Sequence, residues 1–89
     1  MDRQTAFTTV VGIIKPFVRN EEALQKVSES SKIIQDLQVN SARLVDIAIA
    51  FEDAFKVTIE DADAEKINTI GDAVTMLLEK QKEEQGSKT

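Results

Sequence analysis

The 89-residue sequence predicts an all-α fold, a four-helix bundle with three main helices, one short helix and a long first loop. Three segments carry apolar residues every three or four positions, the spacing of amphipathic helices. The length allows one small domain, which we place at residues 1–80. Residues 81–89 carry no apolar side chain and are predicted to form a flexible polar tail.

The first helix is predicted from apolar residues between positions 7 and 18. Pro16 removes a backbone donor and crowds the preceding turn, so we expect the helix to kink or to end near Ile14 or Lys15. The residues of the predicted apolar face are Phe7, Val10, Val11, Ile14, Phe17 and Val18.

The long first loop, residues 19–38, has only weak helical periodicity. A loop of this length in a small domain is usually functional or contains a short helix. One short helical turn is expected at residues 23–27. Three apolar residues are expected to anchor the rest of the loop to the core: Ile33, Ile34 and Leu37.

The second main helix is predicted to begin at Asn40 or Ser41, both good N-caps, and to end at Phe55. Val45 and Ile49 lie off its apolar face, on the side expected to meet solvent, so core packing does not explain them. The predicted buried face contains Leu44, Ile47, Ala48, Phe51 and Phe55.

A short β-favouring linker at residues 56–59 precedes a predicted short helix within residues 60–67. The last main helix is predicted to begin near Thr69, because Thr69 and Asp72 have the spacing of a capping box. Its buried stripe is predicted to contain Ile70, Ala73, Val74, Leu77 and Leu78.

The composition excludes several classes of function. The absence of Cys removes disulfides and thiolate metal sites, and the absence of His removes the commonest general base. A net charge of −5 argues against nucleic-acid binding. No apolar run approaches the roughly 20 residues of a membrane span, and no targeting segment is visible. We therefore expect a cytoplasmic monomer that does not insert into membranes.

Negative charge is concentrated in residues 46–65. This stretch contains seven acidic residues and a single basic residue, Lys56, so its net charge is −6. Such a field attracts a basic partner, although a solvated acidic face that only aids solubility would have the same composition. Catalysis by Asp61 and Asp63 is disfavoured because nothing indicates a cleft around them. The pair also lacks the glycine and distal Glu of a calcium loop. We expect neither an enzyme nor a metal site.

Ser41 is notable for its position at a predicted helix start. The helix dipole and unpaired N–H groups there favour a phosphate ester on its hydroxyl. The simpler alternative is that Ser41 or Asn40 only caps the helix.

Residues 37–55 read LQVNSARLVDIAIAFEDAF, and residues 57–74 read VTIEDADAEKINTIGDAV. This ordered set resembles the acyl carrier protein family, whose pattern has Leu-Gly-x-Asp-Ser-Leu, an apolar helix ending in acidic residues and Phe, and an Ala-Glu-Lys-Ile-like run. The likeness covers about residues 33–78, half the chain.

The resemblance implies that a phosphopantetheinyl transferase attaches 4′-phosphopantetheine to Ser41. The thiol of that group would carry acyl chains as thioesters, so the reactive sulfur would belong to the cofactor and not to a cysteine. Acyl-transferring or condensing enzymes with basic docking surfaces would be its partners, in fatty acid, polyketide or related biosynthesis. The core would part to shelter an acyl chain. The implied docking residues are Val45, Asp46, Ile49, Glu52, Asp53 and Ile59.

Four positions depart from the family pattern: Gln38 replaces Gly, Asn40 replaces Asp, Ala42 replaces Leu and Arg43 replaces an acidic residue. The chain is then either a specialised carrier for one pathway or an unmodified module that docks a basic partner through its acidic face. We favour the carrier because Ser41 is retained. Arg43 would either exclude the general transferase, in which case Arg43→Asp speeds modification, or neutralise the attached phosphate.

Overall fold

The computed structural model describes the backbone of residues 2–86 and the side chains of residues 2–83. Within residues 2–86 there is no β-strand, only an isolated bridge between Lys32 and Thr69, so the predicted all-α class is confirmed. No helix in this range is both long and apolar enough to cross a lipid bilayer. The helices are α1 (Arg3–Ile14), α2 (Glu21–Gln25), α3 (Leu44–Phe55), α4 (Asp61–Glu65) and α5 (Ile70–Gly86).

Helix α1 begins after Asp2, whose side chain accepts a 2.8 Å hydrogen bond from the Thr5 N–H and so satisfies one free donor of the first turn. The helix ends at Ile14, and Pro16 lies in the 3₁₀ turn that follows, which confirms the effect predicted for the proline. Ala6, which the apolar spacing did not single out, is fully buried. Of the predicted face, Val10 and Ile14 are buried, and Phe7, Val11, Phe17 and Val18 are half-buried.

The long first loop contains α2, capped by the side chain of Asn20, so the expected short helical turn is confirmed. Farther along, backbone hydrogen bonds tie the loop to the start of α5: Ile33 N–H donates to the Asn68 carbonyl at 2.9 Å, and Ile70 N–H donates to the Ser31 carbonyl at 3.0 Å. The loop is therefore fixed across the end of the bundle.

The predicted anchors of this loop are only partly correct. Ile33 and Leu37 are buried, but Ile34 is 43% exposed, so its role as an anchor was wrong. Ile33 is held against α5 by its backbone hydrogen bond, and the neighbouring side chain then points away from the core.

Helix α1 packs along α5 and against α3. The rings of Phe51 and Phe55 meet edge to face in the core, with centroids 6.5 Å apart, a favourable aromatic arrangement. The predicted buried face of α3 is confirmed, with Leu44 and Ala48 at its half-buried border. The buried core contains Ala6, Val10, Ile14, Ile33, Leu37, Val39, Ile47, Phe51, Phe55, Val57, Ile67, Ile70, Ala73, Val74 and Leu77.

Helix α5 is capped at its start by two reciprocal hydrogen bonds between Thr69 and Asp72, as predicted. Asp72 N–H donates to Thr69 Oγ1 at 3.0 Å, and Thr69 N–H donates to Asp72 Oδ2 at 3.1 Å. Leu78, predicted in the buried stripe of this helix, is half-buried at its edge.

Helix α5 continues to Gly86, so the predicted domain boundary at residue 80 falls inside a helix. Gln81, the first residue of the predicted tail, donates a 3.2 Å hydrogen bond from Nε2 to the Phe55 carbonyl at the end of α3. The last residues of the predicted tail, 87–89, lie outside the described residues.

Candidate functional site

Ser41 is exposed at the start of a 3₁₀ turn, Ser41–Arg43, that leads directly into α3. The side chain of Asn40 caps this turn by accepting a 2.9 Å hydrogen bond from the Ala42 N–H. Because Asn40 performs the capping, the Ser41 hydroxyl is not used for it. Among the described side chains (residues 2–83) and backbone (residues 2–86), this hydroxyl has no hydrogen-bond partner that would have to be displaced before it reacts.

The backbone around Ser41 offers fewer free donors than the sequence suggested. Ala42 N–H donates to the Asn40 side chain, and Arg43 N–H donates to the Asn40 carbonyl at 2.8 Å. Both groups are therefore occupied. The accessibility of the hydroxyl, more than a cluster of free N–H groups, makes Ser41 fit a phosphodiester.

Gln38, three residues before Ser41, has an unusual backbone conformation. Gln38 has a φ of 56°, in the left-handed region that a side chain disfavours and glycine tolerates. It follows Leu37, which is fully buried. The chain thus keeps at Gln38 the conformation suited to the family's glycine, although the glycine itself is absent. That substitution was the sequence signal for this strain.

Arg43 lies on the surface beside Ser41 and contacts an acid of α3. Its Nη1 is 3.4 Å from Asp46 Oδ2, and the two side chains are 62% and 52% exposed. An exposed pair of this kind contributes little to stability. It does change the electrostatics of the site, because the acid of α3 nearest in sequence to Ser41 has a cationic neighbour.

An apolar ridge runs along the exposed side of α3. Val45 is 63% exposed and Ile49 is 57% exposed, as their positions off the apolar face predicted. Asp46 and Asp53 are exposed as well. These four of the six predicted docking residues are thus available on the surface.

The other two predicted docking residues are half-buried and bonded to each other. Glu52 Oε2 accepts a 2.7 Å hydrogen bond from the Ile59 N–H. This carboxylate therefore holds the linker between α3 and α4 in place, a role that the sequence did not reveal because the partner is a backbone group seven residues away.

An apolar crevice lies between α3 and α4, with Ile33 at one side. Its open volume is about 10 Å³, close to what a single water needs. The crevice is therefore too small for an acyl chain unless its lining residues move apart. The lining residues are Ile33, Leu44, Ile47, Ala48, Phe51, Ala64 and Ile67.

Helix α4 is tied to α5 by an ion pair between Asp63 and Lys80, with Nζ and Oδ2 2.8 Å apart. The hydrogen bond from Lys80, helped by one from the Glu60 N–H, lowers the pKa of the Asp63 carboxyl below its ordinary 3.8. The Asp63 carboxylate therefore links α4 to α5. Within the described residues no three acidic side chains are grouped closely enough to hold a metal ion.

Comparison with known proteins identifies relatives over nearly the whole chain. The chain is 40% identical over 78 residues to an acyl carrier protein of Thermotoga maritima, covering 88% of this chain and 94% of that protein. It is 39% identical over 80 residues to an acyl carrier protein of Petrotoga mobilis, covering 90% and 92%. A third acyl carrier protein, from Picosynechococcus sp., is 44% identical over 54 residues, covering 61% and 67%. No protein-family model matches the sequence.

Acyl carrier proteins are carriers and not enzymes, and they hold 4′-phosphopantetheine as a covalent prosthetic group. They receive it from a phosphopantetheinyl transferase and work with acyl-transferring enzymes. The helical bundle described above agrees with their fold. Given identity near 40% across about nine tenths of its length, the chain belongs to the acyl carrier protein family.

Proposed function

We propose that this chain is a specialised acyl carrier protein that bears 4′-phosphopantetheine on Ser41 and presents acyl thioesters to partner enzymes of one biosynthetic pathway in the cytoplasm. The observation that carries this proposal is that the Ser41 hydroxyl is exposed and makes no hydrogen bond to the described residues, because Asn40 caps the turn in its place. A transferase can reach this oxygen without unfolding the turn.

Attachment joins Ser41 Oγ to the pantetheine-side phosphorus of coenzyme A, breaks the pyrophosphate bond, and releases adenosine 3′,5′-bisphosphate and the hydroxyl proton. When bound, the group supplies the thiol on which acyl chains are carried. The protein's own contribution is to present the serine and to dock partners. The apolar ridge of Val45 and Ile49, with Asp46 and Asp53 beside it, is suited to an enzyme surface that has an apolar patch among cations.

The proposal is tested by intact mass after incubation with coenzyme A and a broad-specificity phosphopantetheinyl transferase. We expect the wild-type chain to gain the mass of one phosphopantetheine group, and peptide mapping to locate it on Ser41. Ser41→Ala is the matched control and gains nothing. If the wild type, like Ser41→Ala, gains no mass with any of a range of transferases, the carrier role is rejected.

A second candidate function is an unmodified module that binds a basic partner. The neutral Asn40 and the cationic Arg43 favour the absence of modification, because both weaken docking of a basic transferase at Ser41, while the acidic residues between positions 46 and 65 remain to bind a basic partner. This module would bind its partner with the same affinity after Ser41→Ala, and the affinity would fall with salt. Loss of binding on Ser41→Ala would reject it.

A further inference from the structure

The surface next to Ser41 differs in charge from the acidic residues that follow it in the chain. Between residues 40 and 51 the only charged side chains are Arg43 and Asp46, which cancel. Residues 52–65 contain six acidic residues and one lysine, a net charge of −5. The end of α3 near the serine is therefore neutral overall and includes a cation, while the negative charge begins more than two helical turns away.

Arg43 is available to a second molecule. Its contact with Asp46 is a single one at 3.4 Å, longer than the roughly 2.7–2.9 Å of a strong charge-assisted bond. A guanidinium has several N–H donors in a fixed plane. Those of Arg43 make no other hydrogen bond to the side chains of residues 2–83 or to the described backbone. The side chain is 62% exposed, so these donors are open to a planar acceptor.

The geometry does not favour a bond from Arg43 to a phosphate on Ser41. The two residues are two positions apart in a 3₁₀ turn, where three residues complete one turn, so their side chains leave the axis in different directions. The guanidinium instead contacts Asp46, with Nη1 3.4 Å from Oδ2. An acceptor on another protein fits Arg43 better.

We propose that Arg43 selects the partner enzymes of this carrier. It fits an enzyme that presents a carboxylate beside the opening of its active site, since a carboxylate can accept two hydrogen bonds from a guanidinium. It disfavours an enzyme that presents a cation there, because like charges brought together weaken docking and slow the encounter. The inference rests on the proposed function, because the enzymes it concerns are those that act at Ser41.

The test compares kcat/KM for Ser41 modification by a broad-specificity transferase with a basic docking surface. The substrates are the wild type, Arg43→Gln, Arg43→Asp and the matched control Arg19→Asp. Arg19 is exposed in the first loop, and its replacement changes the net charge by the same amount. At low salt we expect about a tenfold increase for Arg43→Asp, a smaller one for Arg43→Gln, and less than about twofold for Arg19→Asp. High salt should reduce the increase.

A second arm uses the same transferase with its docking-surface cation nearest the active-site opening replaced by Glu. The wild-type carrier should now be modified faster than Arg43→Asp. Circular dichroism melting of all four carriers establishes that each is folded, which is expected because the exchanged side chains are exposed.

The outcomes separate the two proposals. If Ser41 is modified but Arg43→Asp reacts at the wild-type rate or more slowly with the basic enzyme, the selectivity role of Arg43 is wrong and the carrier function stands. If Ser41 is modified in none of the folded proteins by either enzyme, the carrier function is wrong, and the selectivity role with it. Modification of Arg43→Asp but not of the wild type by the basic enzyme would support the selectivity role, and the carrier function then requires that the enzyme with Glu at its docking surface modifies the wild type.

Discussion

Glu52 Oε2 lies 2.7 Å from the backbone nitrogen of Ile59 and accepts its hydrogen bond. This bond joins the last turns of α3 to the linker that leads into α4. The Glu52 carboxylate therefore holds the linker in place as well as carrying a negative charge. Its contribution to stability and its contribution to binding can be measured separately.

Glu52→Ala should lower the free energy of unfolding by about 1.5–3 kcal/mol, because the partly buried Ile59 N–H loses a charged acceptor. Glu52→Gln retains an acceptor oxygen and should cost less. The measurement is urea unfolding of both variants. Asp53→Ala, on the exposed neighbour, is the control and should stay within about 0.5 kcal/mol of the wild type. A similar loss for Asp53→Ala would mean that charge, and not the hydrogen bond, is responsible.

Gln38→Gly should stabilise the protein by about 0.5–1 kcal/mol. Gln38 has a left-handed φ of 56°, a conformation that costs a residue with a side chain about 1–2 kcal/mol. Glycine removes this strain but costs roughly 0.4–1 kcal/mol, because it makes the unfolded chain more flexible. The strain removed is the larger of the two. Thermal and urea unfolding measure the change. Gln38→Ala keeps the strain and removes the polar side chain, so it should not stabilise. If Ala stabilises as much as Gly, backbone strain is not the cause.

The two glycines at positions 71 and 12 should respond oppositely to alanine. A Cβ on Gly71 would lie 2.9 Å from the Glu29 carbonyl oxygen, which also accepts the Gly71 N–H at 2.8 Å. Gly71→Ala should therefore destabilise by about 1–3 kcal/mol through crowding. Gly12 has open space at this position, so Gly12→Ala should stabilise α1 by about 0.5–1 kcal/mol. Chemical unfolding of the pair checks both signs, and destabilisation by Gly12→Ala would contradict the packing described for α1.

The Asp63–Lys80 ion pair should make stability depend on pH in the acid range. Because the folded-state pKa of Asp63 is lowered from its ordinary 3.8, its contribution is complete above that value and is lost as the pH falls below it through the folded-state pKa. Asp63→Asn should thus lower Tm at neutral pH, and the difference from the wild type should shrink as the pH falls below 3.8. Both proteins still lose stability in acid, because the hydrogen bond from Arg3 also lowers the pKa of Glu29.

The control for this prediction is Asp61→Asn, which removes the same charge from an exposed position on the same short helix. It should leave the pH dependence of Tm nearly unchanged. A difference between Asp63→Asn and wild type that stays constant from neutral pH into the acid range would show that the ion pair does not contribute through the charge of Asp63.

The helices and much of the core were predictable because their signals are local. Pro16 ends α1, Thr69 and Asp72 cap α5, and Val45 and Ile49 stay outside the core face of α3. Each follows from the spacing of residues within a few turns of helix. The predicted domain end at residue 80 lies within α5, which continues to Gly86, and Gln81 bonds to α3.

What failed depended on contacts between distant parts of the chain. Ile33 and Ile34 are equally apolar neighbours, and only the hydrogen bond of Ile33 to Asn68 decides which of them is buried. The choice between Asn40 and Ser41 as the cap, which the sequence left open, was decided locally, because the Asn40 side chain accepts the hydrogen bond from the Ala42 N–H.

The sequence by itself determined the all-helical bundle, its acidic central segment and the serine of interest, because periodicity, charge and motif order are properties of neighbouring residues. Tertiary structure alone decided that Glu52 bonds to the linker, that Asp63 is held by Lys80 and that Arg43 remains open beside Ser41. These side chains are all charged, and a charged residue in a sequence has no preferred partner until folding brings an acceptor or an opposite charge within reach.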